Sequence, residues 1–306
     1  MRVLLFGGRG MVGRNFLEHP EAADLEVLAP PSAEVNLLDR SAVTDYVRRV
    51  APELIIHAAG RVGGIQANIR EPTRFLVENL DMGRNVVLAA RDAGVRRLLN
   101  LGSSCMYPRD ARNPLREEMI LHGALEPTNE GYALAKITTA KLCEYVSKED
   151  PLYAYKTLVP CNVYGRHDSF DPARSHLVAS VIHKLHEAKT AARDTVEIWG
   201  DGTARREFLY AGDLAECMVR AVKRFDALPG TMNVGVGDDH TVDDYYTVAA
   251  DVLEWRGRFE HDLSKPVGMK QKLVSIERQR AWGWSPRTGL REGIARTYDY
   301  YRRTGA

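Results

Sequence analysis

The chain opens with a short apolar run that is followed at once by a cluster of glycines, and this feature constrains the fold most. Arg2–Phe6 is typical of a strand, and Gly7, Gly8, Gly10 and Gly13 then lead into a helical stretch. Glycines at this spacing permit a tight turn and let backbone N–H groups approach a pyrophosphate at the helix N-terminus. A glycine triad alone is weak evidence, but its place between a strand and a helix predicts a dinucleotide-binding turn. The residues predicted to hold the dinucleotide are Gly7, Arg9, Gly10, Met11, Val12 and Gly13.

The segment around the second strand indicates which dinucleotide binds. NAD sites usually place a carboxylate at the end of this strand, where it holds the ribose 2′-hydroxyl. Here no carboxylate follows the strand within residues 25–32, and Glu26 precedes the strand core and is expected to face solvent. Arg9 lies inside the glycine turn, where a guanidinium suits a 2′-phosphate, although a solvated loop arginine is the alternative. The sequence therefore predicts NADPH as the cofactor.

Strands and helices alternate through the first half of the chain. Residues 54–59, 98–101 and 155–160 are typical of strands, and residues 72–93 and 132–146 of helices. This alternation predicts an α/β fold with a doubly wound parallel sheet of the Rossmann type, with residues 1–160 as its dinucleotide-binding domain.

The regularity weakens after Tyr164, where a polar loop over residues 167–174 precedes a predicted helix over 177–188. Residues 161–306 are expected to form mostly a smaller C-terminal α/β substrate lobe, with a return to the main sheet at about 205–235. Within this part we expect residues 208–210 to rejoin the main sheet. Residues 232–234 and the terminal helix over 290–303 are expected to complete the lobe.

The overall composition excludes several classes of protein. The 42 Lys and Arg residues balance the 41 Asp and Glu residues, so no basic field favours nucleic acid or an anionic membrane surface. No apolar run approaches the ~20 residues of a membrane span. The four cysteines are scattered without a Cys-x-x-Cys pair, which argues against a zinc site or a disulfide framework and suits a reducing cytoplasm. A cytoplasmic protein without a metal site is expected.

A Tyr-x-x-x-Lys pair lies on one of the predicted helices. The spacing of Tyr132 and Lys136 places the phenol and the ammonium on one helix face. A free phenol has a pKa of about 10, and a nearby ammonium favours the phenolate, so we expect Lys136 to lower the pKa of Tyr132. Ser103 follows the apolar run of residues 98–102, and ligands collect beyond the carboxyl ends of such strands. With the glycine turn, these residues predict a hydride-transfer site.

The tripeptide Ser103-Ser104-Cys105 adds a thiol to that site. Hydride transfer needs a hydroxyl, a phenol and an ammonium, whereas a thiol suits the movement of a carbon-bound proton. His176 is the predicted partner of Cys105, because thiols and imidazoles exchange protons near neutrality. Taken singly, a cysteine after a strand is more often a small buried hydrophobe, and that alternative stays open from these residues alone.

Nine blocks of the sequence resemble the extended short-chain dehydrogenase/reductase superfamily and, within it, the GDP-L-fucose synthases. The most specific are Ser103-Ser104-Cys105 and Ser175-His176, since the glycine turn and the Tyr-x-x-x-Lys pair are shared by the whole superfamily. The blocks cover residues 7–13, 62–65, 102–108, 125–130, 132–136, 175–176, 199–203, 206–209 and 265–268.

The resemblance implies that GDP-4-keto-6-deoxy-D-mannose is converted to GDP-L-fucose by epimerisation at C3 and C5 and NADPH-dependent reduction at C4. It implies Cys105 as the base and His176 as the acid of the epimerisation, because the C4 carbonyl acidifies the hydrogens on both neighbouring carbons. Tyr132 would then protonate the developing alkoxide while Ser103 holds its oxygen. Lys136 would tune Tyr132 and bind the nicotinamide ribose.

The resemblance also suggests how the GDP-sugar is held. Cations suit its diphosphate, and Trp199 fits over the guanine, with burial in the lobe core as the alternative. Ser32 stands where the family often has an arginine, so one expected contact with the 2′-phosphate is missing. The predicted substrate-binding residues are Asn162, Lys184, Trp199, Arg206 and Lys272.

Three further points stay open from the sequence. The same chemistry on a related GDP-4-keto sugar, of a GDP-L-colitose or 6-deoxy-heptose pathway, is the nearest alternative. A non-catalytic NADP-binding interaction protein is the alternative of another class, and intact Ser103, Tyr132 and Lys136 argue against it. Residues 72–93 and 132–146 carry apolar faces that predict a homodimer across a two-fold axis, with simple core burial as the competing interpretation.

Overall fold

The structure is a computed structural model that describes residues 1–172, 175–265 and 267–305. Thirteen strands are defined within these ranges: β1 (Arg2–Phe6), β2 (Glu26–Leu28), β3 (Leu54–His57), β4 (Arg97–Leu101), β5 (Ala154–Pro160), β6 (Asn162–Tyr164), β7 (Thr195–Trp199), β8 (Arg205–Arg206), β9 (Phe208–Tyr210), β10 (Thr231–Val234), β11 (His240–Thr241), β12 (Arg258–Asp262) and β13 (Gln271–Lys272). The α-helices of the same ranges are α1 (Met11–Leu17), α2 (Arg40–Val50), α3 (Ile65–Arg70), α4 (Pro72–Asp92), α5 (Glu130–Glu149), α6 (Leu177–Thr190), α7 (Ala211–Lys223), α8 (Val242–Leu253), α9 (Glu277–Ala281) and α10 (Leu290–Thr304).

Six parallel strands form the central sheet in the order β2-β1-β3-β4-β5-β10. The central strands are continuous apolar runs because helices cover both faces. On one face α2, α4 and α5 contribute core residues such as Val43, Val86 and Val146. On the other face α1 and α7 contribute Phe16 and Met218. This arrangement confirms the predicted doubly wound fold.

The return of the chain to the central sheet differs from the expectation. β9 pairs with β6 in a separate two-stranded sheet, so the expected place of residues 208–210 in the main sheet is wrong. β10 pairs in parallel with β5 at the sheet edge, so the expected place of residues 232–234 in the smaller lobe is also wrong. Both strands are short, and the sequence pattern of a short buried strand does not specify which neighbour it joins.

A second core lies under the C-terminal helices. There α6, α8 and α10 pack together against the parallel pair β7–β12, and the core residues include Ile182, Ile198, Tyr245 and Ile294. The helix α10 belongs to this smaller lobe, as predicted. No helix of the described ranges combines the length and the apolar character needed to cross a membrane.

The order of the central strands reverses between β1 and β3, and a crevice at such a point is where α/β sheets bind ligands. Gly7 follows β1 with φ +93°, a conformation that favours glycine. A Cβ on Gly7 would lie 2.6 Å from the backbone of Ala58 and Ala59, which follow β3. The two strand ends therefore approach each other as closely as backbone permits.

Candidate active site

The glycine turn builds the floor of the crevice. The N–H of Gly10 donates to the carbonyl of Gly7 at 3.1 Å, and Gly10 is the N-cap residue of α1. A Cβ on Gly13 would lie 2.2 Å from the Gly7 oxygen and 2.6 Å from the Gly8 Cα, so the helix starts in direct contact with the turn. Gly10 itself has open space, with a single backbone atom 3.5 Å from a built Cβ. This close turn with an open helix start fits the pyrophosphate of a dinucleotide.

The end of β2 lacks a carboxylate, as the sequence predicts. Glu26 lies at the start of β2, where its carboxylate pairs with the Arg2 guanidinium at 2.9 Å. Both residues begin their strands, so they lie at the opposite end of the sheet from the glycine turn. Arg9 and Ser32 are both exposed near the crevice. No carboxylate therefore stands at the position that holds a ribose 2′-hydroxyl in NAD sites, and the exposed Arg9 guanidinium is a candidate partner for a phosphate.

Ser103 links the hydride-transfer groups to the thiol. It follows β4 and caps a single 3₁₀ turn over Ser104–Met106, accepting a hydrogen bond at its Oγ from the Cys105 N–H at 3.3 Å. The same hydroxyl lies within hydrogen-bonding reach of the Tyr132 phenol and the Cys105 thiol, since its hydrogen bond lowers the pKa of each. One serine therefore touches both predicted chemistries.

Tyr132 and Lys136 share one face of α5, as their spacing predicts. The Lys136 Nζ lies 5.8 Å from the centroid of the Tyr132 ring and donates to the Leu101 carbonyl, at the end of β4, at 2.9 Å. Burial lowers the pKa of Lys136 to about 8. A Cβ on Gly60 would lie 3.7 Å from the same Nζ, so the ammonium reaches the crevice between β3 and β4.

The expected effect of Lys136 on the phenol is wrong for this arrangement. Burial raises the pKa of Tyr132 above its usual value, the neighbouring Cys105 raises it further, and only the hydrogen bond with Ser103 lowers it. Desolvation penalises the phenolate because the phenol is withdrawn from water, and Lys136 is not among the groups that lower the Tyr132 pKa. The phenol is therefore protonated and poised as a proton donor.

Cys105 lies in an apolar pocket beside these groups. Its side chain is 4% exposed and packs with Met106, Leu125 and Ile137. Burial raises the pKa of the Cys105 thiol, whereas the Lys272 ammonium, the Ser103 hydroxyl and the Lys136 ammonium lower it. A buried thiol surrounded by two ammonium groups differs from an ordinary core cysteine, because those cations favour its thiolate.

His176 is the N-cap residue of α6 and faces the same cation. Burial lowers the pKa of its imidazole, and the Lys272 ammonium lowers it further. Lys272 is itself buried and its pKa is lowered by burial, while Cys105 raises it. The neutral thiol and the neutral imidazole are thus the forms that burial favours, and a charged pair forms only when a proton moves. The Lys272 ammonium therefore lies near enough to both His176 and Cys105 to lower the pKa of each.

Three predicted substrate residues converge beside this ammonium. Arg206 and Lys272 are cross-strand partners on β8 and β13. The Arg206 guanidinium donates to the carbonyls of Arg205 and Val267, each at 2.7 Å. Asn162, at the start of β6, donates from Nδ2 to the Glu207 carbonyl at 2.9 Å. Two cations and an amide therefore lie on adjacent segments, as a diphosphate site requires.

The other two predicted substrate residues form a second cluster in the smaller lobe. The Lys184 Nζ lies 5.5 Å from the Trp199 ring centroid and donates to the Glu197 carbonyl at 3.0 Å. The Lys265 Nζ lies 5.8 Å from the same ring. Trp199 is 39% exposed, so the alternative of burial in the lobe core is wrong. Val267 joins the two clusters, because its side chain lies against Gly200 and its carbonyl binds Arg206.

Sequence reasoning missed the surroundings of the site. The sequence assigns Lys272 to the phosphates alone, whereas in the structure its ammonium also lowers the pKa of Cys105 and of His176. Glu207, between Arg206 and the apolar β9, is fully buried and was given no role. Two signals are present in the sequence. Glu207 is a charged residue beside an apolar run, and Lys265 lies in one of the nine blocks that resemble the family.

Known proteins resemble this chain over most of its length. Residues 3–235 match the model of the NAD dependent epimerase/dehydratase family. The chain is 50% identical over 301 residues to the GDP-L-colitose synthase of Yersinia pseudotuberculosis, covering 98% of each chain. It is 48% identical over 300 residues to the GDP-L-fucose synthase of Azorhizobium caulinodans, covering 98% of this chain and 96% of the relative.

A solved structure extends the likeness to three dimensions. The GDP-mannoheptose C4 reductase of Campylobacter jejuni, solved with NADP bound, superposes with a TM-score of 0.89 at 26% identity and 98% coverage of each chain. The family match spans the central sheet and the residues predicted to transfer the hydride, and the relatives match over nearly the full length. The chain therefore belongs to the NAD dependent epimerase/dehydratase family, in the group that contains the GDP-L-fucose synthases.

Proposed function

We propose that this protein is an NADPH-dependent epimerase and reductase that converts GDP-4-keto-6-deoxy-D-mannose to GDP-L-fucose. The observation that carries the proposal is the contact of Ser103 with both Tyr132 and Cys105, which puts a reducing site and a proton-transfer site in one pocket. Relatives that share about half of their residues with this chain are named for the synthesis of GDP-linked deoxysugars.

NADPH fits the crevice better than NADH does. The turn of Gly7, Gly10 and Gly13 would hold the pyrophosphate, Arg9 the 2′-phosphate, and Lys136 the nicotinamide ribose. When bound, NADPH supplies the hydride that reduces the sugar carbonyl. The NADP in the related C4 reductase supports this choice of cofactor.

The epimerisation follows from the acidity of the carbons next to the C4 carbonyl. Cys105, as thiolate, takes the proton from C3 or C5, and the electron pair of the broken C–H bond delocalises onto the C4 oxygen. His176, protonated, returns a proton to the opposite face of the same carbon and restores the ketone. The Lys272 ammonium favours the thiolate, and it also lowers the pKa of His176, which makes the protonated imidazole a stronger acid. The hydroxyls of Ser103 and Tyr132 donate to the enolate oxygen, so the same donors serve both reactions.

The reduction uses the protonated phenol. As C4 gains a hydride, its oxygen becomes an alkoxide, and Tyr132 passes its proton to that oxygen. Burial raises the pKa of Tyr132, which keeps the proton on the phenol until the alkoxide forms, and the hydrogen bond with Ser103 stabilises the phenolate that is left behind. Ser103 holds the oxygen in place throughout.

The related GDP-4-keto-3,6-dideoxy sugar that leads to GDP-L-colitose is a second candidate substrate. The 50% identity to a GDP-L-colitose synthase favours it, against 48% to a GDP-L-fucose synthase. The two sugars differ at C3, which carries a hydroxyl in one and only hydrogens in the other. Only C5 is then left to epimerise, and Cys105 and His176 serve that single step.

The experiment that tests the function is turnover in D2O with NADPH, in parallel on the two keto sugars, with the products analysed by NMR. Deuterium at both C3 and C5 of a GDP-L-fucose product is the expected result. Faster turnover of the dideoxy sugar, with inversion at C5 only, would move the assignment to GDP-L-colitose. No oxidation of NADPH by either sugar would refute the proposal and leave a non-catalytic NADP-binding protein.

We further propose that the protein acts as a homodimer in the cytoplasm. The helices α4 and α5 pack together and leave a strip on their outer side, where Val77 is 46%, Leu134 40% and Tyr145 52% exposed. Leu134 and Tyr145 lie three helical turns apart and so share one face. A second copy of the strip would cover these side chains. Light scattering should give twice the chain mass, and Leu134→Glu should give monomers. The four free, buried thiols support a reducing compartment.

A further inference from the structure

The segments that carry the substrate cations meet at one buried carboxylate. Glu207 lies between β8 and β9 and is 0% exposed. Its Oε1 accepts hydrogen bonds from the N–H groups of Val236 at 2.7 Å and Gly237 at 2.8 Å. Its Oε2 accepts from the N–H of Val274 at 2.9 Å. Three backbone donors from two distant segments therefore converge on one side chain.

The backbone of Glu207 contacts the predicted substrate residues directly. Its N–H donates to the carbonyl of Lys272 at 3.3 Å, and its carbonyl accepts from the Asn162 side chain at 2.9 Å. Arg206 precedes it in the chain. Glu207 thus touches or adjoins the three residues that we assign to the diphosphate end of the substrate.

We propose that Glu207 is a positioning residue, whose carboxylate holds the segments of Asn162, Arg206 and Lys272 in the register that binds a GDP-sugar. The proposal rests on the proposed function for the identity of the substrate. Glu207 does not touch the substrate itself. It acts through the three residues around it.

A carboxylate is the side chain that this place requires. An ionised carboxylate only accepts hydrogen bonds, and it has room for all three donors on two oxygens. Burial raises the pKa of Glu207 to about 7, whereas the three backbone N–H groups lower it, so the ionised carboxylate prevails above that pH. An amide would turn one oxygen into a donor that faces another donor, which leaves buried N–H groups without partners. The place is also closely packed, because a Cβ on Gly235 would lie 2.4 Å from the Glu207 Oε1.

The position of Lys272 matters beyond the diphosphate. Lys272 is the last residue of β13, and two residues later the N–H of Val274 donates a hydrogen bond to the Glu207 carboxylate. The Lys272 ammonium also lies close enough to lower the pKa of Cys105 and of His176. A shift of this segment would therefore disturb both the grip on the substrate and the charge beside the thiol.

Glu207→Gln tests the proposal with a matched control. Asp213 is also a buried carboxylate with three donors, from the N–H groups of Arg287 and Thr288 and the Thr288 hydroxyl, but it ties down a C-terminal segment without substrate residues. Binding of GDP-mannose, a stable GDP-sugar, is measured by calorimetry, and binding of NADPH by fluorescence. Thermal unfolding is followed for each variant of the full chain.

Glu207→Gln should weaken GDP-mannose binding by at least about tenfold, which is roughly 1.4 kcal/mol, and change the Kd for NADPH less than about twofold. Asp213→Asn should lower the melting temperature and leave both Kd values unchanged. Unchanged GDP-mannose binding in Glu207→Gln, or an equal loss in both variants, would overturn the proposal.

A second variant covers a failure of Glu207→Gln to fold. Gly235→Ala keeps the carboxylate and pushes a methyl against it, so it should weaken GDP-mannose binding selectively as well. GDP-mannose binding as in the wild type would then refute the positioning role. The outcome is separate from that of the proposed function, because the calorimetry needs no turnover. A wild-type protein that binds GDP-mannose and reduces no keto sugar would sink the proposed activity alone.

Discussion

Two glycines of the first turn should respond in opposite ways to the same substitution. A Cβ on Gly13 would lie 2.2 Å from the Gly7 oxygen and 2.6 Å from the Gly8 Cα, and both are backbone atoms that cannot rotate away. A Cβ on Gly10 meets only the Gly7 oxygen, at 3.5 Å, and Gly10 has an extended backbone with φ −78° and ψ 171°. Gly13→Ala therefore perturbs the fold, whereas Gly10→Ala changes only the surface that faces the crevice.

The sizes of the two effects follow from these distances. Overpacking of this kind costs about 1–3 kcal/mol or more. For 306 residues, an unfolding entropy of about 640 cal/mol/K converts that cost into a melting temperature lower by about 2–5 °C in Gly13→Ala. Gly10→Ala should keep the melting temperature within about 1 °C, because its methyl meets no close neighbour. The same methyl covers the N-cap of α1, where a pyrophosphate must approach, so NADPH should bind about 5–150-fold more weakly.

Fluorescence titration with NADPH and thermal unfolding of both variants check this reasoning. The matched pair separates damage to the fold from damage to the cofactor site. Wild-type affinity for NADPH in Gly10→Ala would mean that the dinucleotide does not lie on this turn. Wild-type stability in Gly13→Ala would mean that the turn and α1 are less tightly packed than the structure has them.

Four further predictions concern the chemistry and the pH dependence of the protein. Tyr132→Phe should abolish NADPH oxidation while deuterium still enters the keto sugar, and residual oxidation above about 1% would contradict the role of the phenol. Cys105→Ser should stop deuterium exchange and leave the Kd for NADPH within about twofold; exchange at the wild-type rate would remove Cys105 as the base. Lys272→Met should shift the pH at which the deuterium-exchange rate rises to a higher value, because loss of the ammonium raises the pKa of the Cys105 thiol. An unchanged pH profile would contradict an effect of Lys272 on Cys105. Burial lowers the pKa of His57 to about 3, so the neutral imidazole stabilises the fold above pH 6.5 and that stability is lost as the pH falls. In His57→Leu the free energy of unfolding, measured by denaturant titration, should fall less steeply between pH 6 and 4, by about 1.4 kcal/mol per pH unit. An equal dependence of this free energy on pH in both proteins would disprove the prediction.

Local features of the sequence were enough to predict the doubly wound fold and to select the candidate hydride-transfer groups. The glycine turn, the apolar strand β4 with Ser103 at its end, and the Tyr132–Lys136 spacing each depend on neighbours within a few residues. Backbone conformation and helix periodicity act over that range, so a short segment carries the whole signal.

The tertiary structure alone decided what surrounds these groups. The sequence pairs Cys105 with His176, but the Lys272 ammonium that shifts the pKa of both comes from a distant segment that nothing in their local sequences specifies. The direction of the Tyr132 pKa shift depends on how much water the phenol keeps, which is a property of the packed pocket. The partner of β10 and the three donors that converge on Glu207 depend in the same way on long-range packing. Periodicity specifies which face of an element is buried, whereas the neighbour that buries it is selected only when the whole chain folds.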